Sequence, residues 1–190
     1  MSILLVNGQT STGKTTLARE LAKELGCARV AKDEYKEKRM DQLGRIPSLR
    51  EWVRIEHEAW RLLQATVQEH IASGEPLIVE ADFNRLHAKK LAPFLRGKRV
   101  SEVYCYARPG VVLWRYMRRS KSATRHPGHR DHLWYATLAV ECGLGYLGLR
   151  WVRPIESGAR LLNVDTTDFA KVDHAAICAF AAEALGGQRK

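Results

Sequence analysis

Gly8, Gly13, Lys14 and Thr15 stand at the spacing G-x4-G-K-[ST] in the stretch GQTSTGKT, which directly follows the apolar run ILLVN. That spacing fits a loop that wraps phosphate. Glycine lacks a Cβ and tolerates positive φ, so the main-chain amides of Gly8, Gln9, Thr10, Ser11, Thr12 and Gly13 can turn inward toward phosphate oxygens. A helix starting at Lys14 adds its unpaired N-terminal amides and the positive end of its dipole. Lys14 then reaches the β- and γ-phosphates, the Thr15 hydroxyl binds a bridging Mg2+, and Thr16 caps or packs. ATP and Mg2+ are the cofactors expected on these grounds.

Phosphoryl transfer also needs a group to take the acceptor's proton and cations to meet the charge of the transition state. In an open parallel sheet such groups gather at the carboxyl ends of the strands, and Asp33 follows the run ARVAK there. Two readings suit it: proton acceptor for a substrate hydroxyl, with Lys32 beside it on an anion, or N-cap of a helix over EYKEKRMDQL. In Glu80-Ala81-Asp82, strand alternation puts both carboxylates on one side, and Glu80 is the choice to hold metal-bound water near Thr15. Asp82 either faces the acceptor, together with Arg85, or caps a helix from Asn84. Arg115, Arg118 and Arg119 recur at i, i+3 and i+4, so they share a helical face, and Arg125 lies in the polar segment beyond. Arg115 is assigned to the nucleotide and Arg118, Arg119 and Arg125 to catalysis, the alternative being a solvated basic face. Pro127 and Gly128 interrupt His126, His129 and His132, and no cysteine is near, so the three are read as lid contacts with phosphate or substrate, His126 on the substrate, rather than as a zinc site.

These residues need a scaffold, and the apolar runs supply one. Strand-like stretches at 3–7, 28–31, 76–83, 100–107 and 160–165 alternate with helical patterns, which implies a parallel sheet covered by helices on both faces. A helix is expected over 14–25, with Leu17, Leu21 and Leu25 along one stripe. A longer one runs from the capping box Ser48-Leu49-Arg50-Glu51 to a stop at Gly74. Pro109 starts a third, and the last covers about 168–185. Residues 121–131, KSATRHPGHRD, read as a mobile loop.

At 190 residues the chain suits a single domain over 1–190. With 45% apolar and 27% charged residues and no apolar run of spanning length, a soluble α/β domain without membrane contact is expected. Cys27, Cys105, Cys142 and Cys178 are scattered and form no CxxC pair, which suits reduced thiols and a cytoplasmic location. The net charge of +10 favours a polyanionic ligand, a role that ATP fills and nucleic acid fills second.

Taken together, GQTSTGKTT, KDEYKE, VEADFN, the arginine-bearing helix after ARPGVV, RHPGH and NVDTTD resemble the small P-loop kinases near chloramphenicol phosphotransferase, zeta toxins and the kinase domain of polynucleotide kinases. The resemblance implies a three-layer, nucleotide-kinase-like fold of the P-loop NTPases, with strand order 2-3-1-4-5. It implies ATP and Mg2+ on Lys14 and Thr15, Asp33 as base, and Arg118, Arg119 and Arg125 as cations of a mobile lid over about 118–131. Adenine would pack near Asp165, Thr166 and Thr167, and segment 34–72 would bind the acceptor. A small-molecule hydroxyl is the expected acceptor. A nucleic-acid 5′ end is the second reading, and a non-catalytic nucleotide switch, which needs neither Asp33 nor lid arginines, is the third.

Overall fold

In the computed structural model the described residues are 2–83, 91–123, 125–146, 154–155 and 160–186. The five apolar runs become strands β1 (Ser2–Gly8), β2 (Ala28–Ala31), β3 (Leu77–Glu80), β4 (Arg99–Tyr106) and β5 (Arg160–Asp165). They pair in parallel in the order β2-β3-β1-β4-β5, as expected. Every residue of β1 is buried, because this central strand is covered on both faces. Alternation divides its side chains between two cores. Ile3 and Leu5 pack with Leu77, Val79, Leu63 and Val67 on one face, while Leu4 and Val6 pack with Ile78, Val103, Leu21 and Ile177 on the other.

Helix α1 (Lys14–Leu25) and α2 (Lys32–Leu43) flank β2, and α3 (Leu49–Ser73) begins on the expected capping box, with Ser48 and Glu51 bonded reciprocally. Asp33 is not the N-cap of α2: Ala31 takes that position and Asp33 sits inside the first turn, where an anion favours the helix dipole. Helix α4 (Pro109–Ser120) starts on its proline, and α5 (Asp131–Tyr146), for which no element is predicted above, packs on α4 through Val112, Tyr116, Leu138 and Cys142. The last helix, α6 (His174–Leu185), starts later than its pattern suggests. Asp168 and Asp173 act as successive caps, and a turn of 3-10 helix at Phe169–Lys171 separates them.

β1 and β3 part where the phosphate-loop sequence leaves the sheet. Ala81 N–H still donates to Val6 O at 3.3 Å, but Phe83 N–H donates to the Asn7 side-chain oxygen at 3.0 Å, which also accepts from Gly8 N–H at 2.7 Å. The Asn7 amide nitrogen donates to Glu102 on β4 at 2.7 Å. This buried joint opens the crevice at the carboxyl edge of the sheet, where α/β folds place their ligands. Among the described residues no helix is long and apolar enough to cross a membrane.

Candidate functional site

The loop from Gly8 to Gly13 is held by contacts that leave no room for larger residues. Gly8 has φ 152°, and a Cβ there would lie 2.3 Å from the Cys105 carbonyl oxygen. Gly13 has φ 82°, and its Cβ would meet the Phe169 ring at 2.6 Å. Ser11 also takes a left-handed conformation, and the fully buried Thr12 hydroxyl donates to Gln9 O at 2.7 Å, stapling the bend. The N-terminal amides of α1, which have no partner within the helix, follow at once. Together they form an anion-binding concavity at a helix dipole's positive end.

Thr15 donates to Glu80 Oε1 at 2.5 Å, so two hard oxygen donors touch at the loop's edge. That donor set fits Mg2+. The other Glu80 oxygen accepts from Arg29 at 3.1 Å, and Arg29 also pairs with Glu34. Thr16 is exposed rather than a cap.

Beside the loop lies a cavity of about 220 Å3 that Gln9 and Thr10 share with Asp33, Lys36, Glu56 and His129. Asp33 is half exposed there. Enclosure opposes its charge, but Lys32, Lys36, His129 and Lys14 together hold its carboxyl well below the usual range. Lys32 is expected from its position to meet an anion, but three carboxylates of the protein already occupy it. It is buried and pairs with Asp82 at 2.5 Å, Glu56 at 2.9 Å and Asp33 at 3.8 Å. Burial works against its ammonium, yet Asp82, Asp33 and Glu56 raise its pKa above the ordinary value. Glu56 is likewise drawn down to about 2, burial being outweighed by Lys32 and Lys36. The Lys36 ammonium also lies 4.2 Å from the Trp52 ring centre, and Trp52 packs on Trp134 of α5 with centroids 4.7 Å apart.

The arginines separate. Arg119 donates to Thr10 of the loop at 2.8 Å, and Arg115 donates to Thr167 O at 3.1 Å while lying 3.9 Å over the Phe169 ring. Arg118 instead is exposed, over Trp114. The reason is helical phase: residues four apart differ by about 40°, whereas neighbours differ by about 100°. Arg125 lines the cavity but is held by both Asp131 oxygens, at 2.7 and 2.8 Å.

The polar loop contacts α2 and the chain just before α3. His129 is buried and bonded to Glu37 at 2.7 Å, His126 contacts Asp41 at 3.0 Å, and Arg130 caps the Pro47 carbonyl. His129, not His126, therefore reaches the cavity. Burial outweighs the Glu37 bond and lowers its pKa. Arg85 and the helix expected from Asn84 lie outside the described residues.

Asp165, Thr166 and Thr167 form a bonded turn after β5: Asp165 accepts from Thr167 N–H at 2.8 Å, and Thr167 accepts from Arg108 N–H at 2.9 Å. Thr166 is buried and lines a second cavity, of about 290 Å3, with Gly13, Thr16, Val164 and Phe169. Lys36, Glu56, Trp52, Trp134 and Glu141 in the first cavity, and Phe169 and Arg29 around the loop, are not among the residues singled out from the sequence. The available signal was helical phase: Lys32 and Lys36, like Trp52 and Glu56, are four apart and face one way.

Comparison with known proteins adds the following. A family profile described as an AAA domain matches residues 3–132. The crystal structure of a candidate kinase from Chloroflexus aurantiacus J-10-fl is similar at 29% identity and TM-score 0.82, covering 97% of this chain and 98% of that one. A gluconokinase from Sinorhizobium meliloti (18% identity, TM-score 0.57, 97% and 91% coverage) and a shikimate kinase from Bacteroides thetaiotaomicron (15%, 0.56, 97% and 98%) share the fold. No curated protein sequence matches the chain.

Proposed function

The chain belongs to the AAA-domain family of P-loop proteins, and from that premise we propose that it is an ATP- and Mg2+-dependent kinase that transfers the γ-phosphoryl group to a hydroxyl of a small molecule. The observation that carries this reading is the placement of Asp33 in a cavity of about 220 Å3 whose wall includes Gln9 and Thr10 of the phosphate loop. A hydroxyl bound there lies between a carboxylate and the place a γ-phosphate would occupy.

In this reading Lys14 and the loop amides hold the triphosphate, and Thr15 with Glu80 would hold Mg2+, which would supply neutralisation of phosphate charge. Arg119, already on the loop through Thr10, and Arg125 meet the developing charge. Asp33 orients the acceptor and takes its proton late in transfer, which suits a carboxylate of low basicity and a loose transition state. Arg115 and Phe169 flank the adenine beside Thr166 and Thr167. The kinship with chloramphenicol phosphotransferase, zeta toxins and polynucleotide kinase domains is part of the same proposal.

The acceptor's class follows from the walls. Asp33, Glu56, Asp82, Asp131 and Glu141 set five carboxylates against the cations Lys32, Lys36 and Arg125. That balance repels a phosphodiester and suits a neutral or basic alcohol. The Trp52 and Trp134 rings offer a face to a sugar or other ring, consistent with neighbours named for sugar and gluconate phosphorylation. We expect Asp33→Asn to lose transfer while keeping nucleotide binding, read by labelled ATP with pooled alcohols and by calorimetry. Full turnover in that variant would refute the assignment, and labelled oligonucleotide ends would move the acceptor to nucleic acid.

A further inference from the structure

On the face of the molecule formed by α1 and α6, away from the acceptor cavity, two i, i+4 pairs meet: Glu20 and Glu24 on α1, His174 and Cys178 on α6. The Cys178 thiol donates to Glu24 Oε2 at 2.8 Å and lies 3.4 Å from His174 Nδ1, which is 3.8 Å from Glu24 Oε1. All three ligand atoms lie within 4.8 Å of one another. Tetrahedral Zn2+, with sulfur at about 2.3 Å and nitrogen or oxygen at about 2.0–2.1 Å, sets its donors about 3.3–3.6 Å apart. The sulfur–nitrogen edge is thus within about 0.2 Å of that shape and the nitrogen–Oε1 edge within about 0.5 Å, while the sulfur meets the other carboxylate oxygen, Oε2, so that Glu24 offers one oxygen toward each partner.

A second feature is independent of those distances. The far nitrogen of the imidazole, His174 Nε2, is buried and lies 3.2 Å from Glu20 Oε2, an ion-pair contact without the alignment of a hydrogen bond. A carboxylate on the ring nitrogen that does not bind metal fixes the tautomer and turns the other nitrogen toward the ion, which is the usual support of a metal-bound histidine.

We propose that Glu24, His174 and Cys178 form a binding site for a borderline-soft divalent cation of the Zn2+ type, with Glu20 orienting His174 and a fourth position open to water. One sulfur, one nitrogen and one oxygen donor select such an ion over Mg2+, which prefers oxygen alone. On binding, the Cys178 S–H bond breaks, its proton passes to solvent and a sulfur–metal bond forms. The ion joins the helix that carries the phosphate loop to the last helix. Since Glu20 and His174 also line the cavity beside Gly13 and Thr16, it stiffens the wall of that cavity.

The test is Co2+ titration of the metal-free protein in excess Mg2+, which fills hard-oxygen sites. The expected result is the visible absorption of a tetrahedral centre with a near-ultraviolet thiolate-to-metal band. Cys178→Ser abolishes that band and His174→Ala abolishes uptake, while Glu20→Gln keeps the band but weakens binding about 10- to 100-fold. The unmodified protein gives a second readout that no folding failure can confound: Zn2+ slows alkylation of Cys178, followed by peptide mass spectrometry, and leaves Cys27 unchanged. An octahedral spectrum without the thiolate band, or Cys178 alkylation indifferent to Zn2+, overturns the proposal.

Discussion

The two banks of the crevice are built by different means. The nucleotide bank is mostly backbone: a bend of glycines and hydroxyl residues, fixed by close contacts with Cys105 and Phe169, at the end of a fully buried strand. The bank proposed to take the acceptor is almost wholly side chain, a lattice of charges contributed by α2, α3, α5, Arg125 before α5 and the chain after β3. The neighbours Lys32 and Asp33 meet Glu56 and Asp82 there, from distant parts of the chain. A main-chain cradle recognises what all nucleotides share, whereas a charge lattice can be re-cut residue by residue for one acceptor.

The sharpest way to break this comparison is to disable each bank in turn. Lys14→Ala is expected to lose both nucleotide affinity and turnover, and Asp33→Asn turnover alone, by about 10²–10⁴-fold. Equilibrium binding of a non-hydrolysable ATP analogue beside initial rates separates the two. If both variants lose nucleotide equally, the banks are not independent.

Next in size is the lattice itself. Lys32→Met removes the ammonium shared by three carboxylates, two of which, Glu56 and Asp82, bond to it directly. Glu56 keeps Lys36, and Asp33 and Asp82 are partly exposed, so the loss should be about 1–3 kcal/mol, below that of a fully buried unpaired charge, and urea unfolding would report it. A loss below about 1 kcal/mol would make the lattice incidental, as exposed pairs usually are.

A comparable effect at most, dependent on pH, is expected beneath the nucleotide bank. Burial raises the Glu102 carboxyl to about 7 against the opposing bonds from Asn7 and Ile155 N–H. The folded state then holds a proton that the unfolded chain releases near its ordinary value, so this contribution is present at low pH and lost as pH rises from about 4.5 through 7. Its size is about 2–3 kcal/mol at most. Glu102→Gln should flatten that slope in the difference between the two stability–pH curves, with a constant offset because an amide NH2 would face one of the two donors. Parallel curves would show that Glu102 ionises normally.

The smallest effect belongs to Arg118. Exposed over Trp114, it should tolerate alanine with less than about a twofold change in kcat/KM, whereas Arg119→Ala, losing the Thr10 contact, should cost at least about tenfold. Equal losses would return Arg118 to the lid.

The same contrast explains what could be read before the fold was seen. The nucleotide bank follows from one contiguous stretch, since a loop that wraps phosphate needs its glycines and lysine at fixed intervals, and a buried parallel sheet shows as unbroken apolar runs. Strand order came from resemblance and agrees with the sheet observed. The acceptor bank has no such local grammar. The contact between Gln9 and Glu141 spans 132 positions, and nothing in either neighbourhood announces the other. Lys32 beside Asp33 invited an anion-binding role because its other carboxylate partners, Glu56 and Asp82, were out of view. His126 and His129 looked equivalent in RHPGH until packing buried one of them. Helix α5 went unread because both of its faces carry apolar residues, leaving no amphipathic stripe to follow.

Asn7 has a mechanical consequence. One amide oxygen is hooked to the first residue of the bend and also to Phe83, the residue after Asp82. Any tug that an arriving triphosphate exerts on the bend is therefore felt at Asp82, and through its grip on Lys32 at Asp33. Cargo on one side can thus trim the opposite wall through a single planar linker, without a hinge or a sliding domain.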